Sequence, residues 1–245
     1  MSRQQPGQPS LTQLSRDLAF CLLLGALIAG ATGCGQSPDA TGREPAPQPK
    51  VDVGALRARA ESGDPAAQAQ LGRLYIQGEQ VTNDFNEAAK WLSKAAAQAN
   101  AEGQFGLGEL HEAGRGVPRD QAEAVKLYRR AAEQGHSRAE YTLGFLYEAG
   151  RGGLPMDQKE ATKWFLRAAE HGEALAQYDL GQRYDIGVGV KVDKVEALKW
   201  LLLAAAQGQP DAAERLKQVK RGLTREQIAE AERRASAFSK KTTTP

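Results

Sequence analysis

Small and apolar residues follow a helical pattern along most of the chain from residue 64 onward. In the stretch Ala101–Ala113 they lie three or four residues apart, which places them on one face of an α-helix: Gly103, Leu107, Leu110 and His111. The pattern stops at residues 114–118, Gly-Arg-Gly-Val-Pro, a cluster that breaks helices. A second helical pattern follows, with its apolar face at Ala124, Leu127, Tyr128, Ala131 and Ala132. The sequence therefore predicts two helices joined by a short loop.

The second helix carries start and stop signals of its own. Asp120 fits the N-cap, and Glu123 three residues on is placed to reach back as in a capping box. Gly135 fits the C′ position, where the backbone turns left-handed. These signals predict a helix that begins after Asp120 and ends before Gly135.

The helix pair is repeated. A Leu-Gly pair recurs at spacings of 36, 36 and 37 residues: Leu71-Gly72, Leu107-Gly108, Leu143-Gly144 and Leu180-Gly181. The motif Asp-x-x-Glu-Ala-x-Lys recurs at spacings of 36, 37 and 36: Asp84, Asp120, Asp157 and Asp193. Two independent motifs that share one period indicate tandem repeats.

The Leu-Gly glycine lies in the middle of the first helix, where glycine costs about 1 kcal/mol relative to alanine. Its recurrence predicts that the two helices approach closely at this point, with small residues opposite: Ala88, Ala124, Ala161 and Ala197. Because one helix pair is too small to bury its own apolar face, successive pairs must stack. The predicted fold is an all-α solenoid.

The combination Ala-x-x-x-Leu-Gly-x-x-Tyr, Gly-x-Gly-Val, Asp, Ala-x-Lys-Trp and Ala-Ala-x-x-Gly resembles the Sel1-like repeat, a relative of the tetratricopeptide repeat. The third and fourth copies match best, through Tyr147, Trp164, Tyr184 and Trp200. The second copy has His111 and Leu127 at two of these positions, the first has Gln80 in place of a loop glycine, and the third has one extra loop residue near Gly153. The predicted repeats are 64–99, 100–135, 136–172 and 173–208.

The segments on either side of the repeats are predicted to cap them. Residues 51–63 match the end of a second helix and predict an N-terminal capping helix. Residues 209–239 lack the Leu-Gly pair and predict a C-terminal helical cap, whose last helix runs from Thr224 to about Phe238. Residues 240–245 are predicted to be a disordered tail.

Residues 1–33 have the pattern of an export signal, with an apolar run at Leu18–Ala29 that is too short to span a bilayer. The run is followed by Ala31-Thr-Gly-Cys34, which resembles a bacterial lipobox and predicts that Cys34 is lipid-modified. The alternative is cleavage after the Ala-x-Ala sequence at 29–31. Residues 34–50 are polar and proline-rich and predict a linker. The expected location is the cell envelope, membrane-anchored and facing the periplasm, with the outer membrane favoured; the alternative is a soluble periplasmic or secreted protein.

Composition and motifs give little support to nucleic-acid binding, metal binding or catalysis. The formal net charge is only +2. A nucleic-acid-binding protein needs a basic surface, so no nucleic-acid partner is predicted. The three histidines, His111, His136 and His171, form no i, i+4 pair, so no metal and no cofactor is predicted. Relatives of this repeat have been credited with β-lactamase activity, but no serine after Cys34 has lysine three residues on. No catalytic residue is predicted.

The resemblance implies that first helices line a concave groove. Two residues before each leucine lie Ala69, Phe105, Tyr141 and Tyr178, and five residues after it lie Ile76, Glu112, Glu148 and Asp185. One hypothesis is that the aromatic residues anchor a peptide and the acidic residues select basic or amide-bearing partners. The other is that the aromatic residues pack against the adjacent repeat and the acidic residues are solvated. The predicted function is a non-catalytic scaffold that binds a protein or peptide; the alternative is a cell-wall enzyme or a glycan-binding protein.

Overall fold

The computed structural model describes residues 51–242. The predicted signal (1–33), the lipidation site Cys34, the rest of the linker (35–50) and residues 243–245 of the predicted tail lie outside this range. Within it the chain forms eleven α-helices and no strand. They are α1 (Val53–Glu61), α2 (Pro65–Gln77), α3 (Phe85–Ala97), α4 (Ala101–Ala113), α5 (Gln121–Glu133), α6 (Ser137–Ala149), α7 (Gln158–Glu170), α8 (Ala174–Ile186), α9 (Lys194–Ala206), α10 (Ala212–Lys220) and α11 (Arg225–Thr242).

The helices pair in chain order into a solenoid, which confirms the predicted fold class. α2/α3, α4/α5, α6/α7 and α8/α9 are the four repeats, and each repeat packs on the next. α1 packs on α2, while α10 and α11 both pack on α9. α11 continues through Thr242, past the predicted end near Phe238, because residues 239–242 contain no glycine or proline to stop it. Residues 240–242 are therefore helical rather than part of a disordered tail.

The Asp-x-x-Glu-Ala-x-Lys motif caps each second helix, but only half of the expected capping box forms. Each aspartate side chain accepts a hydrogen bond from the backbone N–H of the motif's glutamate, at 2.9 Å for Asp120. The glutamate side chains do not reach back. Instead they pair with the lysine of the same motif, at 2.6–3.0 Å: Glu87–Lys90, Glu123–Lys126, Glu160–Lys163 and Glu196–Lys199. The lysine three residues away competes with the backbone N–H of the N-cap aspartate for the glutamate carboxylate.

The Leu-Gly glycines do mark a close approach between the two helices of a repeat. A Cβ placed on Gly108 would lie 2.7 Å from the Tyr128 ring, and one on Gly144 would lie 2.8 Å from the Phe165 ring. In the first and fourth repeats the same role falls to leucines, Leu92 and Leu201. The predicted alanines do lie opposite: a Cβ on Gly108 would lie 3.4 Å from the carbonyl oxygen of Ala124, and the equivalent distances in the first and fourth repeats are 3.3 and 3.2 Å. The large side chain four residues after each alanine fills the space that the glycine leaves.

Each tryptophan packs against its own first helix and the second helix of the preceding structural unit. Trp91 lies in a cluster with Leu56 of α1, and Trp200 lies in one with Ala168 of α7. Trp164 packs on the cluster formed by the second and third repeats. The tryptophans therefore join each repeat to its predecessor.

A polar pair with one buried and one exposed member also recurs within each repeat. In three repeats a glutamine after the second helix donates from Nε2 to a glutamine in the first helix, at 2.8–2.9 Å: Gln98–Gln68, Gln134–Gln104 and Gln207–Gln177. In the third repeat this pair is His171 and Glu140, whose Nδ1 and Oε2 atoms lie 2.7 Å apart. The Glu140 side chain is completely buried, and Nε of Arg167 lies 3.0 Å from its other oxygen. One repeat thus uses a carboxylate and an imidazole where the others use two amides.

We expect that Glu140 and His171 can be replaced by the two glutamines of the other repeats only when both are replaced together. His171→Gln alone should cost about 1–3 kcal/mol of unfolding free energy, because a buried carboxylate loses its matched donor. Glu140→Gln with His171→Gln should restore stability to within about 1 kcal/mol of wild type, since the other repeats use this pair. A double-mutant cycle from urea unfolding measures the coupling. Additive single effects would show that the two side chains act independently.

Candidate partner-binding face

The first helices α2, α4, α6 and α8 present a common surface. We number register positions from the first residue of each first helix; positions 2, 6, 9 and 13 then fall on one side of the helix. We call this surface the first-helix face. Its residues are Ala66, Gln70, Arg73 and Gln77; Glu102, Gly106, Glu109 and Ala113; Arg138, Thr142, Phe145 and Ala149; and Leu175, Asp179, Gln182 and Ile186. All except Gly106 and Glu109 are at least partly exposed.

The three aromatic residues predicted to anchor a partner lie at register position 5, beside this face. Phe105 is only 3% exposed and packs against Tyr128, with ring centroids 5.6 Å apart. Tyr141 packs on the Phe165 ring, and its hydroxyl donates to Asp179 of the next repeat at 3.0 Å. Burial, with the charge of Asp179, raises the pKa of Tyr141 well above its usual value. Tyr178 is half-buried against the C-terminal cap, in a cluster that includes α10 and α11.

The three acidic residues predicted to select a partner lie at register position 12, and each has a partner within the protein. Glu112 accepts a hydrogen bond from the Tyr128 hydroxyl at 2.7 Å. Glu148 pairs with Arg183 of the next repeat at 2.7 Å. Asp185 is buried and pairs with both Lys194 and Arg215. These carboxylates are bound within the solenoid rather than solvated.

The three aromatic and the three acidic residues therefore lie at the contacts within and between repeats. Their register positions adjoin the first-helix face without belonging to it. Helix periodicity alone could not separate a groove from a joint, because the distinction depends on the angle between successive repeats. That these six residues bind a partner stays a prediction, and a partner reaching them must compete with existing internal contacts.

A charge network on the first-helix face was missed by the sequence analysis. Arg73 pairs with Glu102 and Glu109, and Arg138 lies 3.6 Å from Glu109. The two guanidinium groups lie 5.3 and 5.0 Å from the centroid of the Phe105 ring. A signal was present, because Arg73 and Glu109 share register position 9 while Glu102 and Arg138 share position 2. Opposite charges at equal positions of adjacent repeats predict such pairs.

The Glu102 carboxylate is the most perturbed acid in this network. Its burial alone would raise the pKa. A contact of 2.9 Å with Nε2 of His136 and the charge of Arg73 outweigh this effect and lower the pKa to about 2. Glu102 therefore stays ionised at any pH above that range, and its negative charge is held within the network.

A cleft of about 510 Å³ opens on the first-helix face at α2. Its wall includes Val51, Ala69, Gln70, Gln77, Gln80 and Glu102. Register position 5 holds alanine here, whereas the other three repeats hold an aromatic ring. The small side chain of Ala69 thus contributes to this cleft.

The described residues offer little for metal chemistry. No group of three histidine, cysteine, aspartate or glutamate side chains between residues 51 and 239 could hold a metal ion. Nδ1 of His111 lies 3.1 Å from the carbonyl oxygen of Pro118, so it ties the loop to its helix. Across the helices α1–α11, none is both long and apolar enough to cross a membrane.

Comparison with known proteins identifies the repeat. The Sel1 repeat profile matches four ranges, 65–100, 101–136, 137–173 and 174–209. The comparison with curated proteins returned no match. Each matched range begins one residue after the corresponding repeat start predicted from the sequence.

Two crystal structures are similar in sequence and fold. One is a protective antigen present in uropathogenic Escherichia coli strains, with an SLR fold: it is 36% identical over 77% of this chain, with a TM-score of 0.64. The other is a Sel1 repeat protein from Oxalobacter formigenes, 32% identical over 80% of this chain, with a TM-score of 0.63. The alignments span 41% and 53% of those two chains.

Proposed function

This chain belongs to the Sel1 repeat family, and on that premise we propose that it is a non-catalytic scaffold that binds a partner protein through its first-helix face. Sel1 repeats mediate protein–protein interactions, and the repeat scaffold is typically non-catalytic. We propose in addition that the first-helix face is the surface that binds the partner, and that binding takes place in the cell envelope.

The observation that carries the proposal is the continuity of the first-helix face over four repeats. In the second repeat, the charges on this face neutralise one another in the network of arginine and glutamate side chains around Phe105. Its later part is more apolar, with Phe145, Leu175 and the 60% exposed Ile186. Of these three side chains only Ile186 is exposed, and Phe145 and Leu175 are partly exposed; apolar groups left at the surface in this way can contribute to an interaction surface. A polypeptide lying across the repeats would contact both parts.

Bulky charged residues on this face should weaken partner binding without unfolding the protein. We expect Thr142→Arg and Gln182→Arg each to reduce affinity by about 30-fold or more, as at hot-spot positions. Both side chains are partly exposed, so the melting temperature should stay nearly unchanged. The matched control is Lys163→Glu, on the outer side of α7, where 71% of the side chain is exposed. If Lys163→Glu weakens binding as much as the two arginine variants, the first-helix face is not the binding surface.

We also place the scaffold on a membrane through a lipid on Cys34, on the strength of its position after an export-signal pattern. Residues 35–50 reach at most about 50 Å when extended, so the solenoid would stand clear of the membrane surface. We expect Cys34→Ala to move the protein from the membrane fraction to the soluble periplasmic fraction. A wild-type protein that is already soluble, with Thr32 at its N-terminus, would contradict the lipid anchor.

A further inference from the structure

Large apolar side chains are left exposed at the loops of the third and fourth repeats. Met156, Ile186 and Val192 are 60%, 60% and 57% exposed, and no other large hydrophobic side chain between residues 51 and 239 is exposed to this degree. Met156 and Val192 each directly precede the N-cap aspartate of a second helix, and Ile186 ends α8. We call these three residues the apolar loop patch.

The patch is held in place by contacts of its two loops. A Cβ placed on Gly187 would lie 2.9 Å from Cγ2 of Val192, so Val192 lies against the end of α8. The same loop rests on the preceding repeat, because Oγ1 of Thr162 donates to the carbonyl oxygen of Val188 at 3.2 Å. Thr162 belongs to α7, the helix that follows the loop of Met156. The two loops are therefore neighbours with a fixed relation to each other.

The first two repeats have a polar residue at this loop position and use it inside the protein. Nδ2 of Asn83 and Nε of Arg119 donate to a carbonyl oxygen at the end of the first helix of the same repeat, at 2.5 and 3.2 Å. Met156 and Val192 hold the equivalent positions, and neither side chain has a group that could donate. Their apolar surface also stays in water, where it contributes nothing to folding. The stability of the repeat thus gives no reason for apolar residues here.

The charges beside the patch favour an acidic partner. Lys159 and Lys191 are both exposed and lie within three residues of the patch along the chain. Neither forms an ion pair with another residue from 51 to 239. The neighbouring carboxylates of Asp157 and Asp193 each accept two backbone N–H groups as N-caps, so their negative charge faces the positive end of a helix. The two lysines are left to meet a charge from outside.

We propose that the apolar loop patch binds an acidic segment of the partner protein, in which apolar side chains stand next to aspartate or glutamate. This inference rests on the proposed function, because Ile186 is also register position 13 of the first-helix face and the patch continues that face onto the loops. Apolar contacts supply affinity, while Lys159 and Lys191 select the charge of the partner. The selected charge is opposite to the one predicted from Glu112, Glu148 and Asp185, whose carboxylates are bound within the solenoid.

Selection of random peptides displayed on phage, with the purified chain as the target, tests this preference. We expect enriched peptides to combine aspartate or glutamate with aliphatic or aromatic residues. Lys159→Glu with Lys191→Glu should weaken their binding at least about 10-fold, and so should Met156→Asn with Val192→Asn. The asparagine variants should keep their melting temperature, because the first repeat has asparagine at this position. The matched control is Lys126→Glu, a charge reversal at an exposed lysine of the second repeat, which should change affinity less than about 2-fold.

The outcomes separate this inference from the proposed function. No enriched peptide, neutral or basic enriched peptides, or equal binding by the patch variants and wild type would overturn the inference. Peptides that lose affinity on Thr142→Arg but keep it in the patch variants would overturn it and leave the first-helix face as the binding surface. Acidic peptides that respond to the patch variants alone would support the patch and contradict the first-helix face. Binding to vesicles of phosphatidylethanolamine and phosphatidylglycerol that the patch variants abolish, without peptide binding, would show that the patch meets lipid instead.

Discussion

Replacing Trp200 by alanine is expected to cost about 3–5 kcal/mol of unfolding free energy, as for other buried aromatic residues. Trp200 is 1% exposed and packs in one cluster with residues of the third repeat, the fourth repeat and α11. Its ring lies 5.4 Å from that of Phe238. The substitution would therefore leave a cavity where three elements meet. Urea unfolding followed by tryptophan fluorescence or circular dichroism measures the loss.

Trp164→Ala is the matched control for Trp200. It removes the same atoms from the equivalent position of the third repeat, but Trp164 is only partly buried, so its cost should be smaller. Because solenoid stability is mostly a sum of nearest-neighbour terms, hydrogen exchange in Trp200→Ala should accelerate first in α8, α9 and α11. Equal acceleration in α2 and α3 would contradict a solenoid of weakly coupled repeats.

Gly189→Ala is expected to cost about 2–4 kcal/mol through strain and overpacking. Gly189 has a φ of +71°, which is unfavourable for alanine. An added Cβ would also overlap the carbonyl oxygen of Gln158, at the start of α7. Gly116 makes the equivalent approach to Phe85 at the start of α3. The second loop glycine of a repeat thus allows its loop to pack on the preceding repeat's second helix.

Gln80→Ala is the matched control, because the first repeat has glutamine at this loop position. Its predecessor α1 begins at Val53 and lacks the first turn that Gly116 and Gly189 contact in the other repeats. We therefore expect Gln80→Ala to change stability by less than about 0.5 kcal/mol. Comparable melting temperatures for Gly189→Ala and wild type would show that close approach does not set the glycine requirement.

Much of the fold could be predicted because the sequence of each repeat contains the signals for its own helices. The helix pair follows from the apolar period, the N-caps from the four aspartates, and the stacking from the size of one pair. Gln80 could be recognised as an exception, but its physical reason could not. That reason lies in the missing first turn of α1, which only the packing of neighbouring units reveals.

The candidate site was harder to predict because it depends on relations between repeats. Phe105 and Asp185 have the residue types of a binding groove, yet both are buried at joints. The charge pairs of Arg73 require knowing that successive first helices lie side by side. The Glu140–His171 pair was overlooked because a glutamate in a helix is usually solvated. Comparing residue types at equal register positions would have exposed both features.

Site-specific photocrosslinking in intact cells tests the central claim most directly. Probes would replace Thr142 and Gln182 on the first-helix face, and Lys126 and Lys163 on the outer side of the second helices. The proposed function predicts that the same partner is captured from both first-helix positions, and that neither second-helix position captures it. Capture from Lys126 and Lys163 alone, or equal capture from all four positions, would contradict it.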